Sequence, residues 1–321
     1  MHVHLDSCAR VSRHQGVRRH LVISVVMPSY NQAQFLPAAI ESVLSYDGPC
    51  ELIVMDGGSA DGSVDVLKKY EARLTHWQSA EDGGQAAAIN AGFAMATGEV
   101  FCWLNSDDMY LPGTLARVAA AATPAPRRFF RYGSAVHLRE SPHLEVFLAP
   151  AHPATAGRLL HDAVVVQPSA FWSRDVWEAT GPLDENLHFA FDWEWFIRAQ
   201  QHAEFTHVDE VYSVYRLHEA HKTGSGGSRR RREMCEVIGR HAPADWVDRF
   251  RRALDLVERE DSRIARLQAR GLTFHHAAML LGTRRGLVPR SIAEARKWSF
   301  VFRVYAGSEN RTGSQNQRVS G

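Results

Sequence analysis

The sequence predicts an α/β protein with a mainly parallel sheet and helices on both faces. Short apolar runs that suit buried strands alternate with segments in which apolar residues recur at helical spacing. Clusters of Gly, Pro, Asn and Asp, the residues typical of turns, separate these runs. The chain has 321 residues, of which 45% are hydrophobic and 23% charged. This length allows one large domain, or one domain with a smaller appendage.

The predicted elements follow one another in the order of repeated strand–helix–strand units. In the first hundred residues we predict strands at 21–27, 51–55, 75–78 and 100–104, and helices at 33–45, 61–73 and 85–96. Further on, the pattern predicts strands at 129–138 and 208–215, and helices from 115, at 172–180 and from 189 to 200. Residues 139–162 show no clear pattern.

Composition divides the chain into four parts. We predict a disordered leader at 1–20, the α/β domain at 21–225, a helical C-terminal extension at 226–307 and a disordered tail at 308–321. The basic run at 229–232 favours a solvated helix face or a linker over a phosphate, membrane or nucleic-acid site. The segment 291–305 mixes basic and aromatic residues. Peripheral contact with a membrane is one hypothesis for it, and packing against the main domain is the favoured alternative.

Charge and cysteine content indicate the compartment. The net charge of +1 gives no global attraction to nucleic acid. The four cysteines lie far apart, which favours a reducing environment over a disulfide framework or a zinc site. No run of about 18 apolar residues predicts a transmembrane helix. We therefore expect a cytoplasmic protein, peripheral at most at the inner face of a membrane.

Four polar loops follow predicted strands at the same edge of the sheet. They span 28–32, 56–63, 82–85 and 105–108, and all are rich in Gly, Ser, Asn and Asp. Open α/β sheets bind ligands outside the carboxyl ends of their strands, so four such loops favour one shared site. Neither a GxGxxG nor a GxxxxGK[ST] pattern occurs in them, which disfavours a dinucleotide fold and a P-loop.

The fourth loop carries adjacent carboxylates, Asp107 and Asp108, at the end of the apolar run 100–104. Two carboxylates at the rim of a buried strand are costly unless they are paired, and Mg²⁺ or Mn²⁺ would pair them. The alternative is helix-start chemistry, because Asn, Ser and Asp all cap helices and Pro112 suits a first turn.

Taken in order, these segments resemble family 2 of the glycosyltransferases, enzymes of the GT-A fold. The resemblance covers about 21–223 and rests on SVVMPSYNQAQFLPAAIESVL, ELIVMDGGSADGS, EDGGQAAAINAGFAMATGEVFCWLNSDDMYLPG, QPSAFWSRDVWEATGPLDENLHFAFDWEWFIR and VYRLHEAHKT. It implies transfer of a sugar from a nucleotide-diphosphate donor to a glycan, lipid-linked or protein acceptor, with Mn²⁺ or Mg²⁺ as cofactor. Surface polysaccharide, lipopolysaccharide or glycoprotein assembly is the implied setting.

The resemblance also implies roles for particular residues. Asp192 would be the base that removes the acceptor proton in an inverting displacement, and its aromatic neighbours predict a raised pKa. The alternative for Asp192 is a helix cap. Asp107 would bind the metal with His218, whose alternative is a surface loop histidine, while Asp108 would either bind the metal or orient its ligands. The implied nucleotide-sugar contacts are Pro28, Ser29, Tyr30, Asn31, Asp56, Gly58, Ser59, Asp82, Gly84, Asn90, Asn105 and Ser106.

Two positions depart from the family pattern. Asn105 stands where the first Asp of an Asp-x-Asp motif is common, so we expect it to form hydrogen bonds and not to bind the metal. Ala87 stands where many relatives have Asp. Both departures keep a non-catalytic nucleotide-sugar-binding module open as an alternative. A nucleotidyltransferase is a further alternative, disfavoured because no basic, Gly-rich triphosphate loop is present.

Overall fold

A nine-stranded mixed sheet forms the centre of the computed structural model, in the order β3–β2–β1–β4–β8–β6–β9–β5 with β7 paired to β6. The structure describes residues 21–270 except 124–126, 140–143, 150, 155–156, 161–163, 219–221, 223–226 and scattered positions between 249 and 269. The strands are β1 Ile23–Ser29, β2 Cys50–Asp56, β3 His76–Ser79, β4 Val100–Trp103, β5 Met109–Tyr110, β6 Phe129–Arg139, β7 Glu145–Ala149, β8 Ala170–Ser173 and β9 Glu204–Leu217. The helices are α1 Leu36–Leu44, α2 Ser63–Tyr70, α3 Gln85–Met95, α4 Thr114–Ala121, α5 Arg174–Thr180, α6 Phe191–Ala199 and α7 Gly227–His241.

The sheet has a parallel half and a largely antiparallel half. Strands β1 to β4 pair in parallel, as the apolar runs with helices between them predict. Beyond β4, strand β8 runs antiparallel to both β4 and β6, while β6 and β9 pair in parallel on both sides of an irregularity at Tyr132 to Ala135. The predicted α/β class is confirmed, and the polar ends of β1, β2 and β4 meet at one edge.

Successive side chains of the central strands point alternately into two hydrophobic cores, one on each face of the sheet. Val25 and Met27 face a core closed by α1 and α4, whereas Val26 faces a core closed by α3, α5, α6 and α7. This alternation places helices on both faces, as predicted. The second core is rich in aromatic side chains, among them Trp103, which packs edge-on against Trp172 at 5.2 Å between ring centroids.

Three strands differ from the sequence prediction. Strand β8 occupies the start of the segment predicted as a helix from 172, and α5 begins only at Arg174. Strand β7 lies in the stretch without a clear pattern and is mostly exposed, so it has no alternation to detect. Strand β5 has two residues, too few for periodicity.

The predicted C-terminal extension begins with α7, which contains the basic run. Met234, Val237 and Ile238 of this helix are buried in the same core as α6. The predicted leader, tail and membrane segment 291–305 lie outside the described residues. Within the part of the chain that is described, no helix combines the length and apolarity needed to cross a bilayer.

Candidate functional site

A cavity of about 630 Å³ opens at the carboxyl ends of β1, β2 and β4. Its walls contain most of the residues that the sequence assigned to donor binding, together with the proposed base. The predicted residues that line it are Pro28, Ser29, Tyr30, Asp82, Gly84, Asn105, Ser106, Asp107, Asp108 and Asp192. Tyr30 stands at the rim and is 63% exposed, and the buried Ser29 hydroxyl has no hydrogen-bond partner among the described residues.

Asp107 and His218 meet although they lie 111 positions apart in the chain. His218 Nε2 and Asp107 Oδ2 are 3.0 Å apart, and both side chains are largely buried. The ring of Phe35 packs against the imidazole with 4.6 Å between centroids. The Asp107 carboxylate lines the cavity, and the His218 imidazole faces that carboxylate. Because both groups suit a divalent cation, this contact favours the site role of His218 over a surface loop histidine.

Asp108 is turned away from that pair and into the protein. Its Oδ1 accepts a hydrogen bond from the Arg216 backbone N–H at 2.9 Å, and its Oδ2 accepts one from Asn105 Nδ2 at 3.3 Å. Burial and the nearby Asp107 charge raise the pKa of the Asp108 carboxyl well above its ordinary value. Of the two roles weighed for Asp108, this geometry favours orienting the loop over binding a metal. No group of three His, Cys, Asp or Glu side chains with a metal-site arrangement occurs among the described residues.

Asn105 is the centre of a hydrogen-bonded chain across the floor of the cavity. Its Oδ1 accepts from Gln85 Nε2 at 2.7 Å, and Gln85 Oε1 in turn accepts from Lys222 Nζ at 2.9 Å. On the other side Asn105 Nδ2 donates to Gln167 Oε1 at 3.3 Å, and Gln167 Nε2 donates to the Trp103 carbonyl at 2.8 Å. Asn105 therefore has the hydrogen-bonding role that was predicted for it, and through Gln85 it links the loop after β4 to Lys222, which lies between β9 and α7.

Asp192 lies in the first turn of α6, on the cavity wall. Its Oδ1 accepts a hydrogen bond from the Trp193 N–H at 2.7 Å. Burial raises the pKa of the carboxyl, as predicted, although the positive charges of Arg230 and Lys222 oppose this shift. The N-cap of α6 is Ala190, and no side chain caps it. Asp192 is therefore not the N-cap residue of α6, although its carboxylate accepts from an N–H of the first turn.

The aromatic neighbours of Asp192 divide into two sets. Phe189 and Phe191 line the cavity, whereas the Trp193 and Trp195 indoles point into the core and donate to the carbonyls of Leu159 and Gly181. Only the first set is placed to contact a ligand.

The second loop supports the first by a set of hydrogen bonds. The Asp56 carboxylate accepts from the N–H and hydroxyl of Ser59 and from the hydroxyl of Ser79, at 2.6 to 2.9 Å. Asn31, at a positive φ of 52°, accepts from the Ala60 N–H at 2.9 Å. Gly58 has a φ of +80°, and a Cβ there would lie 3.2 Å from the Glu81 backbone nitrogen. Asn31, Asp56, Gly58 and Ser59 are not among the residues that line the cavity, and they hold the loops beside it. Their contacts with the donor, including that of Asp56 with a base, stay predictions.

Asn90 does not reach the cavity, so its assignment to donor binding is corrected. Its Nδ2 donates to the Leu183 carbonyl at 3.0 Å, and its Oδ1 accepts from the Leu183 N–H at 2.9 Å. This two-way bond uses the amide to fasten α3 to the loop after α5.

Sequence reasoning missed several polar residues at the cavity, chiefly Gln85, Gln167 and Lys222. Burial lowers the pKa of Lys222 to about 8, against the stabilising charges of Asp192 and Glu233. Lys222 lies four positions after His218, and Gln85 is the last residue of the predicted loop 82–85. Their proximity to predicted site residues was the available signal.

Comparisons with known proteins relate this chain to glycosyltransferases. Residues 24–145 match the family model described as glycosyl transferase family 2. An uncharacterized glycosyltransferase of Nostoc is 39% identical over 102 residues, which are 30% of this chain and 31% of that protein. A mycobacterial PGL/p-HBAD biosynthesis glycosyltransferase (Mycobacterium bovis) is 28% identical over 189 residues, which are 55% of this chain and 69% of that protein. The match to the Nostoc protein thus spans about a third of its length, and a match to a Rickettsia typhi glycosyltransferase spans 66%.

Solved structures share the fold. A mannosyltransferase from Pyrobaculum calidifontis, in complex with GDP-Man and Mn²⁺, matches with a TM-score of 0.53 at 18% identity and covers 88% of this chain and 86% of its own. Staphylococcus aureus TarS, residues 1–349, in complex with UDP-GlcNAc, matches with a TM-score of 0.51 at 18% identity over 89% of this chain and 90% of its own. These neighbours are GT-A glycosyltransferases, which confirms the predicted GT-A fold.

Proposed function

We propose that this chain, whose residues 24–145 belong to glycosyl transferase family 2, transfers a sugar from a nucleotide-diphosphate donor to an acceptor hydroxyl with inversion at the anomeric carbon. The observation that carries the proposal is the meeting of three distant segments at one cavity. Asp107 and Asp192 line the same cavity, and His218 contacts Asp107. This reaction needs two kinds of group: ligands for a divalent cation, and a base whose pKa is raised toward neutral pH.

The first loop would hold the nucleotide. Tyr30 at the rim offers an exposed ring for stacking on a base, and the buried Ser29 hydroxyl is available to a polar group of the donor. The two structural neighbours are complexes with UDP-GlcNAc and with GDP-Man, so both nucleotides are candidates.

Asp107 and His218 would hold a divalent cation between the protein and the donor diphosphate. Their carboxylate and imidazole, 3.0 Å apart, supply two protein ligands, and cations of this kind complete their shell with phosphate oxygens and water. The cation would neutralise the negative charge that develops on the leaving diphosphate. Lys222 places a further positive charge two hydrogen bonds from Asn105, the position at which this chain lacks a carboxylate.

Asp192 would act as the base. Its carboxylate accepts the proton of the acceptor hydroxyl while that oxygen attacks the anomeric carbon and the bond from this carbon to the diphosphate oxygen breaks. One displacement of this kind inverts the configuration. The raised pKa brings the carboxyl closer to neutral pH, where proton transfer to it is more favourable.

The acceptor class belongs to the proposal as well. The name of the mycobacterial relative places that protein in PGL/p-HBAD biosynthesis. We propose a glycan, lipid-linked or protein acceptor in the assembly of a surface polysaccharide, a lipopolysaccharide or a glycoprotein for this chain.

A nucleotide-release assay tests the proposal. A panel of UDP- and GDP-sugars is incubated with the chain, with Mn²⁺, with Mg²⁺ or with EDTA, and with extracts that supply acceptors. We expect release of nucleoside diphosphate from one donor, dependent on the cation, and a loss of about a hundredfold in Asp107→Asn because the leaving group loses several kcal/mol of stabilisation. Asp65→Asn is the matched control, since Asp65 is exposed and pairs only with its helix neighbour Lys68 among the contacts described.

The same assay separates the alternatives. Pyrophosphate released from a nucleoside triphosphate would indicate a nucleotidyltransferase. Donor binding seen as thermal stabilisation, without release under any condition, would indicate a binding module.

A further inference from the structure

Helix α7 contacts α6 and the turn before it at two points. In the middle of α7, Glu233 contacts the turn that precedes α6, and at the end of α7 His241 Nε2 lies 3.0 Å from Glu194 of α6. These contacts are eight positions apart, or about 12 Å along a helix. Between them Val237 and Ile238 are fully buried in the aromatic core. Helix α7 therefore braces α6 along much of its length.

Glu233 satisfies backbone groups that α6 leaves without partners in its own sequence. Glu233 is buried, with 9% of its side chain exposed, and its Oε2 accepts from the Phe189 N–H at 2.6 Å and from the Ala190 N–H at 3.3 Å. Ala190 is the N-cap of α6 and offers no capping side chain. A negative charge at this position also interacts favourably with the helix dipole.

The turn that Glu233 holds carries one wall of the cavity. His188 and Phe189 precede α6, Phe191 and Asp192 open it, and all four line the cavity. A shift of this turn would move Asp192 relative to the donor side, and a misplacement of about 1 Å can lower a rate on the order of a hundredfold.

The charges around Asp192 come from every element packed on this turn. Arg230 of α7 and Lys222, in the segment after β9, interact directly with Asp192. Arg229 and Glu233 of α7 interact with Lys222 and with His188 of the turn, and Tyr215 of β9 interacts with Arg230. Arg229 Nε lies 3.4 Å from Glu233 Oε1. On α6 itself Glu194 faces away and pairs with Arg198 and His241. Glu233 is thus the second carboxylate of a cluster that also contains cations facing Asp192.

We propose that Glu233 of α7 is a positioning residue for Asp192: it fixes the 188–192 turn and balances the cations around the base. The proposal rests on the proposed function, since it takes Asp192 as the base. It makes α7, which lies outside the family-matched residues 24–145, a working part of the active site.

Two variants of Glu233 and one matched control test the proposal. Glu233→Ala removes the acceptor and the charge, whereas Glu233→Gln keeps an amide oxygen for the Phe189 N–H and removes only the charge. The control is Glu236→Gln on the same helix, where the side chain is 52% exposed and pairs with Arg240. All variants are assayed for kcat, KM for the acceptor, the Kd of the nucleoside diphosphate and the pH dependence of kcat.

We expect Glu233→Ala to lower kcat by tenfold or more, on the order that misplacement of a base produces, with the nucleotide Kd changed by less than about twofold. Glu233→Gln should recover part of kcat. The acid limb of its kcat–pH profile should move to lower pH, because removing a negative charge makes Asp192 easier to deprotonate. If Glu233→Ala matches Glu236→Gln in kcat, the proposal is wrong. If Glu233→Ala fails to fold, a wild-type kcat and pH profile in Glu233→Gln overturns it.

Hydrogen exchange provides a readout that needs no reaction. In the free protein, amides of the 187–193 peptide should exchange faster in Glu233→Ala than in Glu236→Gln, because the Phe189 and Ala190 N–H groups lose their acceptor. Unchanged exchange would refute the positioning role of Glu233 and would leave the proposed function unaffected. Wild-type chain that releases no nucleoside diphosphate from any donor would instead refute the proposed function.

Discussion

At the scale of single residues, Asp192 is held in a state that disfavours its charge. Burial raises the pKa of its carboxyl above the ordinary value of 3.8. Between the two pKa values the folded chain binds more protons than the unfolded chain, so its stability falls as pH rises through this window. Above the raised pKa the penalty is complete and constant. A charged Asp192 at neutral pH therefore lowers the free energy of unfolding.

Asp192→Asn should separate these two effects. We expect the variant to bind nucleoside diphosphate like wild type and to lose transfer. We also expect its Tm to exceed that of wild type at neutral pH, with a difference that shrinks toward pH 4 as the wild-type carboxyl becomes protonated. Melting both proteins across this pH range measures the effect, and the exposed Asp65→Asn serves as control. Wild-type transfer by Asp192→Asn would remove Asp192 from the mechanism, and a Tm gap that widens toward acid would contradict the raised pKa.

The sequence located the site residues that follow strands, and it missed those that reach the cavity from elsewhere. Asp107 and Ser106 come directly after a buried strand, which fixes the edge at which they lie. Lys222 reaches Gln85 across 137 positions and Glu233 reaches Phe189 across 44, and no local pattern encodes such contacts. Asn90 shows the opposite error, since its motif position suggested a ligand contact while its amide is used in packing.

At the scale of elements, the small residues of α3 let this helix lie close to the sheet. Gly92 faces β1 and β2, and a Cβ at this position would lie 2.5 Å from Val26 Cγ1 and 3.3 Å from Met55 Cγ. Real Cβ atoms do not approach other carbons at 2.5 Å, so any larger residue would push the helix away from the strands. Because α3 begins at Gln85 beside the cavity, its distance from the sheet also sets the position of the donor side.

Gly92→Ala should therefore destabilise the fold although Ala is the better helix former. The gain in helix propensity is at most about 1 kcal/mol, while overpacking costs about 1 to 3 kcal/mol. We expect the free energy of unfolding in urea to fall by about 1 to 2 kcal/mol. Ala91→Gly, at the exposed neighbouring position, measures the propensity effect alone and allows it to be subtracted. A Gly92→Ala protein more stable than wild type would mean that α3 can move outward freely.

Elements were predictable where one face or both faces of a strand are buried. Strands β1 and β4 are buried at every position and read clearly as apolar runs. Strand β7 is exposed at Glu145 and at the three residues after it, so it carries no burial pattern. Strand β8 passes directly into α5, whose N-cap is Ser173, and the sequence pattern therefore assigns Trp172 to the helix predicted from 172.

At the scale of the whole molecule, the predicted boundary at 225 falls inside one packed unit. Met234, Val237 and Ile238 of α7 share a hydrophobic core with Trp195 and Phe196 of α6. Arg240 Nη1 also lies 2.6 Å from Asp184 Oδ2, which joins α7 to the loop before α6. If α7 belonged to a separate appendage, the core of the first domain would be complete without it. The contacts of α7 instead complete that core.

A chain that ends at Ser225 tests whether the α/β domain folds without α7. The truncation removes Trp246 and Phe250 from this core as well as Met234, Val237 and Ile238. Each buried apolar side chain of this kind contributes about 1.5 to 3 kcal/mol, and the loss also exposes their α6 partners. Because domains are stable by only about 5 to 15 kcal/mol, we expect the shortened chain to lose cooperative thermal unfolding and to bind a hydrophobic dye. Full-length Glu236→Gln, altered only at the exposed face of α7, should melt like wild type. If the shortened chain instead melts sharply near the wild-type Tm, the boundary at 225 separates an independent domain, and α7 is a brace for the active site that the fold itself does not need.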